Sequence, residues 1–179
     1  SDYDNLLGEC TASSGANCEI GDAFNGDAVT VRGVEFIAGT ELAGSNVPME
    51  LAYTYIDGSF DTDIADTAFF GDVSAGDPIP YIPKHQLYAM IGFVQPQWAV
   101  HLSANFVDET CVRATCGVFE MTDSSFTVDI AGRWSVNDNL GLFARVENLA
   151  DSSDIVGLHP YGARPNKSRT ALVGLDLSF

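Results

Sequence analysis

The chain has 179 residues, 46% of them hydrophobic, and its 25 acidic and 8 basic residues give a net charge of −17. A surface this acidic repels phosphate backbones, which excludes nucleic acid as a partner. The many aromatic and apolar residues exclude a disordered chain, and no run of about 18 apolar residues predicts a transmembrane helix. Residues 1–4 show neither the basic nor the apolar region of a signal peptide.

Apolar and polar side chains alternate along most of the chain, which predicts β-strands with one apolar and one polar face. The segment 86–94 is apolar on both faces. In the segment 27–42 the alternation changes parity, since Val31 is followed by Val34, and the intervening Gly33 predicts a β-bulge. In chain order, the predicted strands are the end of one strand at 3–7 and full strands at 27–42, 49–55, 86–94, 98–109, 125–134, 139–149 and 168–179.

The connections between these strands alternate in length. Strict alternation of this kind is typical of an outer-membrane β-barrel, in which about ten tilted residues cross the bilayer. Tyr53, Tyr55, Trp98 and Trp134 lie near strand ends on the apolar face, where an aromatic girdle is expected. A soluble secreted β-sandwich would also alternate, but it gives no reason to separate connections by length. The long connections are 8–25, 61–80, 110–122 and 150–167, and the short ones are 43–47, 95–97 and 135–138.

Acidic residues collect in the long connections, with six and no base between Asp57 and Asp77. Asp61, Asp63 and Asp66 could together bind calcium, which takes several carboxylate oxygens from one loop. The segment lacks the glycine and the distal glutamate of an EF-hand, so the alternative is an ordinary solvated loop.

Several stretches resemble the C-terminal part of TonB-dependent outer-membrane receptors, most closely the ferric-citrate type. The C-terminal ones are Val146-Glu-Asn-Leu-Ala-Asp, His159-Pro-Tyr-Gly-Ala-Arg-Pro-Asn-Lys-Ser-Arg-Thr and the final Leu177-Ser-Phe179. The earlier ones are Tyr3-Asp-Asn-Leu-Leu, the cysteines around Ser13-Ser14-Gly15, and Val31-Arg-Gly-Val-Glu-Phe36. The resemblance implies an all-β antiparallel transmembrane β-barrel of 22 strands. Residues 1–179 would be one unit, about its last eight strands, without the plug or the earlier strands.

The function that the resemblance implies is energy-coupled uptake of a ferric chelate, a citrate or siderophore complex, without catalysis or a cofactor. The implied partners are the chelate, an inner-membrane energy-coupling protein acting through the plug, the rest of the barrel and outer-membrane lipid. The implied location is the outer membrane of a Gram-negative bacterium, as a multi-pass barrel. The alternative is a self-contained eight-stranded outer-membrane barrel with a structural or adhesive role.

The four cysteines predict two disulfides within long connections, Cys10 with Cys18 and Cys111 with Cys116, as in proteins that fold in an oxidising compartment. The rival interpretation is a zinc site, but the two-residue spacings and histidine partners typical of zinc clusters are missing. No cysteine is then left over as a nucleophile, and the three histidines lie in separate segments, so an enzyme is not expected.

Candidate ligand-binding residues come from the few basic positions. His159, Arg164, Lys167 and Arg169, together with Tyr161, lie in the last long connection and at the start of the last strand. Arg145, like Arg133, is expected to point into the barrel. These side chains could bind an anionic iron chelate through charge-assisted hydrogen bonds. The alternative for the two strand arginines is pairing with acids such as Asp129 and Glu147.

Overall fold

The computed structural model describes residues 2–3, 7–9, 19, 23–25, 28–42, 44–67, 71–158 and 162–178. In these ranges the regular structure is entirely β, and no helix there is long and apolar enough to cross a membrane. The strands are β1 (Asp2–Tyr3), β2 (Leu7–Glu9), β3 (Ala23–Asn25), β4 (Val29–Glu41), β5 (Pro48–Phe60), β6 (Ile64–Thr67), β7 (Gly71–Val73), β8 (His85–Val94), β9 (Trp98–Val107), β10 (Ser125–Asn137), β11 (Leu140–Glu147), β12 (Ile155–Gly157), β13 (Arg164–Pro165) and β14 (Thr170–Leu177).

Eight of these strands form one antiparallel sheet in the order β1-β4-β5-β8-β9-β10-β11-β14. The seven full strands and one strand end predicted from the sequence are therefore confirmed. The other six strands pair as the hairpins β2–β3, β6–β7 and β12–β13, which lie within three of the four long connections. We call the strand ends that are joined by the long connections the outer end of the sheet, and those joined by the short turns the inner end.

The sheet has one apolar face and one polar face, and each face keeps its character from one strand to the next. On the apolar face, Leu87 lies opposite Phe106, and Ile130 lies opposite both Leu102 and Val146. Because paired residues share a face, the alternation seen in single strands becomes one continuous apolar surface. The opposite, polar face carries Glu35, Glu50, Thr54, Gln86, His101, Asn105, Asp129, Arg133, Arg145 and Asp176.

The β-bulge predicted at Gly33 is wrong, because β4 and β5 pair in one unbroken register along their whole length. The parity changes because the two halves of β4 place apolar residues on opposite faces. Val29, at the outer end, is 1% exposed and packs under the long connections, whereas Val34 and Phe36 lie on the apolar face and are 63% and 52% exposed. Gly33 permits close approach, since a β-carbon there would lie 2.5 Å from the Tyr55 carbonyl oxygen.

A small hydrophobic core lies at the outer end of the sheet and joins β4 and β5 to two long connections. Its packing fastens the connections 61–80 and 110–122 to the sheet. The buried members are Val29, Phe60, Val73, Ile79 and Ala114, and Val31, Ile64 and Ile82 pack against them.

The sheet is open in the part of the chain that the structure describes. There β14 pairs only with β11, and β1 pairs only with β4. A closed eight-stranded barrel would need β14 beside β1. The described strands therefore form one open antiparallel sheet and not a closed barrel.

Candidate functional site

Asn148 organises the last long connection at the outer end of the sheet. Its side-chain Nδ2 donates hydrogen bonds to the carbonyl oxygens of Ser152 (2.9 Å) and Lys167 (2.8 Å), and its Oδ1 accepts one from the Ser152 backbone N–H (3.0 Å). Its own backbone N–H donates to Asp129 Oδ1 at 2.8 Å. Asn148 is 3% exposed and has a φ of 50°, a conformation that asparagine adopts more readily than most residues. The side chain thus holds together the start and the end of the connection.

Four charged side chains meet beside Asn148 on the polar face. The Glu147 carboxylate forms ion pairs with Lys167 and with Arg145, whose Nη2 lies 2.7 Å from Glu147 Oε1. Arg145 Nη2 also lies 3.9 Å from Asp129 Oδ2. The cluster, which we call the Glu147 network, contains two acids and two bases and has no net charge. Arg145 is therefore paired with Asp129 and Glu147, the two acids given in the alternative prediction for this arginine.

Arg169 and Arg133 are also paired with acids. Arg169 Nη2 lies 3.4 Å from Asp151 Oδ2, and the Arg169 backbone N–H donates to Asp151 Oδ1 at 2.9 Å. Near the inner end, Arg133 Nη2 lies 3.3 Å from Asp176 Oδ2. Each of these four side chains is about half or more exposed.

The structure brings some of the predicted ligand-binding residues together and separates others. Lys167 and Arg145 meet at Glu147, while Arg164 lies in the β12–β13 hairpin with its guanidinium over Gly157. His159 and Tyr161 lie outside the described residues.

The predicted Cys111–Cys116 disulfide is present, with its α-carbons 5.1 Å apart; Cys10 and Cys18 lie outside the described residues. The Glu120 carboxylate also stabilises this connection, 110–122. It accepts hydrogen bonds from the Gly117 backbone N–H (3.1 Å) and from Thr115 Oγ1 (2.9 Å), and it pairs with Arg113.

The residues between Gly117 and Glu120 form an apolar tip on this braced connection. Val118 is 90% exposed and Phe119 is 93% exposed, while Val112 and Ala114 in the same connection are each 1% exposed. The connection thus buries two of its apolar residues and exposes two others, one of which is a phenylalanine. We call Val118 and Phe119 the apolar tip.

Two of the candidate calcium ligands act as hydrogen-bond acceptors, one for strand β4 and one for their own connection. Asp61 Oδ2 accepts from Thr30 Oγ1 at 2.9 Å, and Asp63 Oδ1 accepts from the Ala75 backbone N–H at 2.8 Å. The Asp66 side chain lies outside the described part. Among the described residues, no group of three or more His, Cys, Asp or Glu side chains could hold a metal ion.

Aromatic side chains lie near both ends of the apolar face, as predicted. Toward the outer end, the Tyr53 hydroxyl hydrogen-bonds His85 Nδ1 at 2.8 Å, and the Tyr55 ring lies 5.3 Å from the His85 ring. Toward the inner end, Trp98 and Trp134 lie directly opposite each other. Tyrosine and tryptophan at these two levels match the two interfaces of a bilayer.

Sequence reasoning missed the central roles of Asn148 and Glu147 and the apolar tip. An asparagine that follows a strand and opens a connection is a recognisable signal for a positive φ. The partners of the Asn148 amide could not be read from the sequence, because Lys167 is 19 residues away. The exposure of Phe119 could not be read from the sequence either, because it depends on which apolar residues of the connection are buried, and tertiary packing selects Val112 and Ala114.

Comparison with known proteins gives one family and several related folds. The family described as TonB dependent receptor-like, beta-barrel matches residues 1–149. The siderophore receptor PiuA from Acinetobacter baumannii superposes with a TM-score of 0.74 at 18% identity, over 98% of this chain and 24% of that one. The ferric citrate transporter FecA in its unliganded form gives 0.73 at 16% identity, over 98% and 27%. The copper transporter OprC gives 0.66 at 19% identity, over 88% and 24%.

These structural likenesses concern the fold, since all three identities are below 20%. The chain spans about a quarter of the length of each of these structures. No curated protein sequence matches the chain.

Proposed function

This chain belongs to the TonB-dependent receptor β-barrel family, whose members are outer-membrane transporters rather than enzymes, and from that premise we propose that it takes up a ferric chelate. In this proposal residues 1–179 are one unit, about the last eight strands of a 22-stranded barrel. The remaining strands and the plug come from the rest of the receptor. The barrel sits in the outer membrane of a Gram-negative bacterium.

The observation that carries the proposal is the continuous apolar face across the sheet, opposite a charged and polar face. Leu87, Val173 and Leu175 on the apolar face are 38%, 79% and 66% exposed. Such a surface is costly in water and favourable against lipid. The polar face, with Arg133, Asp176 and the Glu147 network, suits a water-filled or plugged interior. A transporter wall needs both.

The ligand in this proposal is a citrate or siderophore complex of iron, received at the outer end of the barrel. In this chain the ligand would be bound by residues of the Glu147 network and of the last long connection, namely Arg145, Lys167, Arg169, Arg164, His159 and Tyr161. The siderophore receptor and the ferric citrate transporter with this fold support the choice of an iron chelate. Energy would reach the ligand through the plug and an inner-membrane energy-coupling protein.

The alternative of a self-contained eight-stranded barrel gains no support, because the described sheet is open at β14.

The test is iron uptake by the whole polypeptide that carries this chain. It would be produced in a Gram-negative host that lacks its own ferric-chelate receptors, and the cells offered radioactive iron as ferric citrate or as a trihydroxamate siderophore complex. We expect the polypeptide in the outer-membrane fraction and iron accumulation from at least one chelate. A matched host without the energy-coupling protein should accumulate none.

Two results would overturn the proposal at different points. Recovery of the polypeptide from the soluble fraction would contradict the membrane barrel. Correct insertion in the outer membrane without uptake from any ferric chelate would leave the barrel intact and contradict the ligand class.

A further inference from the structure

The charges of this chain are distributed unequally between its two ends. The four long connections, 8–25, 61–80, 110–122 and 150–167, contain eleven acidic and three basic residues. The three short turns, 43–47, 95–97 and 135–138, contain one acid and no base. The outer end, where a ligand would arrive, therefore carries most of the loop charge, and that charge is strongly negative.

Basic side chains near the outer end are engaged by acids. Glu147 alone engages two of them, Lys167 and Arg145. An anion that approached them would compete with a carboxylate already in place. The pairs are Lys84–Asp57 (3.3 Å), Arg113–Glu120 (3.6 Å), Arg145–Glu147 (2.7 Å), Lys167–Glu147 and Arg169–Asp151 (3.4 Å).

Exposed pairs of this kind are individually weak, and a ligand can break one at a cost of about 1 kcal/mol or less. The larger obstacle for an anion is the excess of acids over bases in the four long connections, eleven against three. Their combined field acts over about 8–10 Å at physiological salt and determines which charges approach the mouth readily. An anionic chelate is repelled by this field, whereas a neutral chelate is unaffected and a cationic one is attracted.

The apolar tip is an independent feature of the same end. Val118 and Phe119 are almost fully exposed on a connection that the Cys111–Cys116 disulfide and Glu120 hold in shape. A pre-ordered apolar contact loses little conformational entropy when a ligand covers it. It fits an aliphatic or aromatic part of a ligand, which ferric citrate does not have.

We infer that the four long connections of this chain, as their part of the mouth, favour ferric chelates without net negative charge, and that Val118 and Phe119 contact an apolar part of the chelate. This inference rests on the proposed function and narrows its ligand class. It disfavours ferric citrate, which is an anion, and favours neutral or cationic siderophore complexes with hydrocarbon chains.

The test uses one linear ferric trihydroxamate in three forms that differ only at its free amine. The free ammonium form has a charge of about +1, the acetylated form is neutral and the succinylated form has about −1. Binding of each form to the purified whole receptor would be measured at low and at high salt, with ferric citrate as a fourth ligand. We expect affinity to fall by about tenfold from the ammonium to the succinyl form at low salt, and the difference to shrink at high salt.

A charge variant checks that the ion pairs at the mouth contribute. Glu147→Gln removes the carboxylate shared by Lys167 and Arg145, so it should strengthen binding of the succinylated form several-fold more than binding of the acetylated form. Asp176→Asn is the matched control, since it frees Arg133 near the inner end and should change neither affinity.

A second variant checks the apolar tip. Phe119→Ser should weaken all three hydroxamate forms several-fold and equally, because the lost contact is uncharged. Val156→Ser is its control, since Val156 is 44% exposed on another outer connection. Normal insertion of each variant in the outer membrane shows that it folds.

The outcomes separate this inference from the proposed function. Equal binding of the three forms, a preference for the succinylated form, or binding of ferric citrate alone would overturn the charge selection while ferric-chelate uptake stands. An unchanged Phe119→Ser variant would overturn the role of the apolar tip. Failure of every ferric chelate to bind or enter cells would overturn the proposed function itself.

Discussion

The ring of Phe143 lies directly over Gly174, its cross-strand partner on the polar face of β11 and β14. A β-carbon at Gly174 would lie 2.6 Å from Phe143 Cε1 and 2.9 Å from Cε2, closer than real carbon atoms approach. Position 174 therefore requires glycine because the Phe143 ring occupies the space of a side chain, and not because the backbone turns there. The pair covers an otherwise bare stretch of strand with an aromatic surface.

Replacing Gly174 by valine should destabilise the barrel by about 1–3 kcal/mol, because the new side chain must displace the Phe143 ring. The measurement is the temperature at which the folded, fast-migrating form is lost in electrophoresis of unboiled receptor. A second substitution, Phe143→Ala, should recover part of the loss by vacating the space.

Gly132→Ala is the control for this prediction. A β-carbon at Gly132 would meet its nearest neighbours, Ala99 O and Val100 Cγ2, at an ordinary 3.7 Å. This variant should unfold within a degree or so of the parent. If the Gly132 and Gly174 variants behaved alike, steric conflict with Phe143 would not explain the glycine.

Asn148→Ala should cost about 3 kcal/mol of stability. It removes the donors for the Ser152 and Lys167 carbonyl groups and places alanine at a positive φ. Because the Asn148 side chain holds the two ends of the last connection together, trypsin should also cleave at Lys167 faster in the variant. Exposed Asn139 makes a comparable hydrogen bond to the Ser178 carbonyl oxygen (2.8 Å) in a short turn. Asn139→Ala should cost less than about 1 kcal/mol and leave cleavage at Lys167 unchanged.

Trp98 and Trp134, 44% and 52% exposed on the apolar face, should be in contact with lipid near one interface. In bilayers of brominated phospholipid, bromine close to the headgroup should quench their fluorescence more than bromine at the chain end. The signal is the difference between the receptor and its Trp98→Phe/Trp134→Phe variant. Quenching by a water-soluble quencher instead of by lipid would contradict the assignment of the two faces.

The Cys111–Cys116 disulfide should keep the apolar tip in shape and have little effect on the strands. Replacing both cysteines by serine should increase trypsin cleavage at Arg113 by about tenfold or more, since closing this loop is worth about 2–3 kcal/mol in the chain-entropy model. The unfolding temperature of the whole receptor should fall by only a few degrees, because the shift per kcal/mol decreases with chain length. Alkylation without reductant should leave both cysteines unmodified, and their modification would show that the bridge is absent.

The strands were predictable because the separation of an apolar from a polar face acts on each residue according to its own side chain. Alternation identified most of the full strands of the large sheet, although the segment 86–94 is apolar on both faces, and the lengths of the connections identified the two ends. The error at Gly33 has a physical origin. Residue parity indicates which face is apolar, and at the outer end of β4 the apolar side changes because Val29 packs in the core beneath the loops and not on the apolar face.

The site was predictable only as a set of residue types. The sequence showed that Arg145, Lys167 and Arg169 are among few bases, and that acids surround them. It could not show that Glu147 holds two of these bases at once, because Lys167 returns to β11 only through the path of the last connection. Asn148 fixes that path through hydrogen bonds to residues 4 and 19 positions away.

By itself, then, the amino-acid sequence determined the strands, their faces, the separation of long and short connections and the acidic outer end. Each of these follows from local periodicity or from composition, which act without reference to distant residues. The tertiary structure alone decided which charges neutralise one another, where the core lies and which apolar residues remain exposed. Those properties depend on contacts between residues far apart in the chain, and such contacts exist only once the strands have paired and the loops have closed over them.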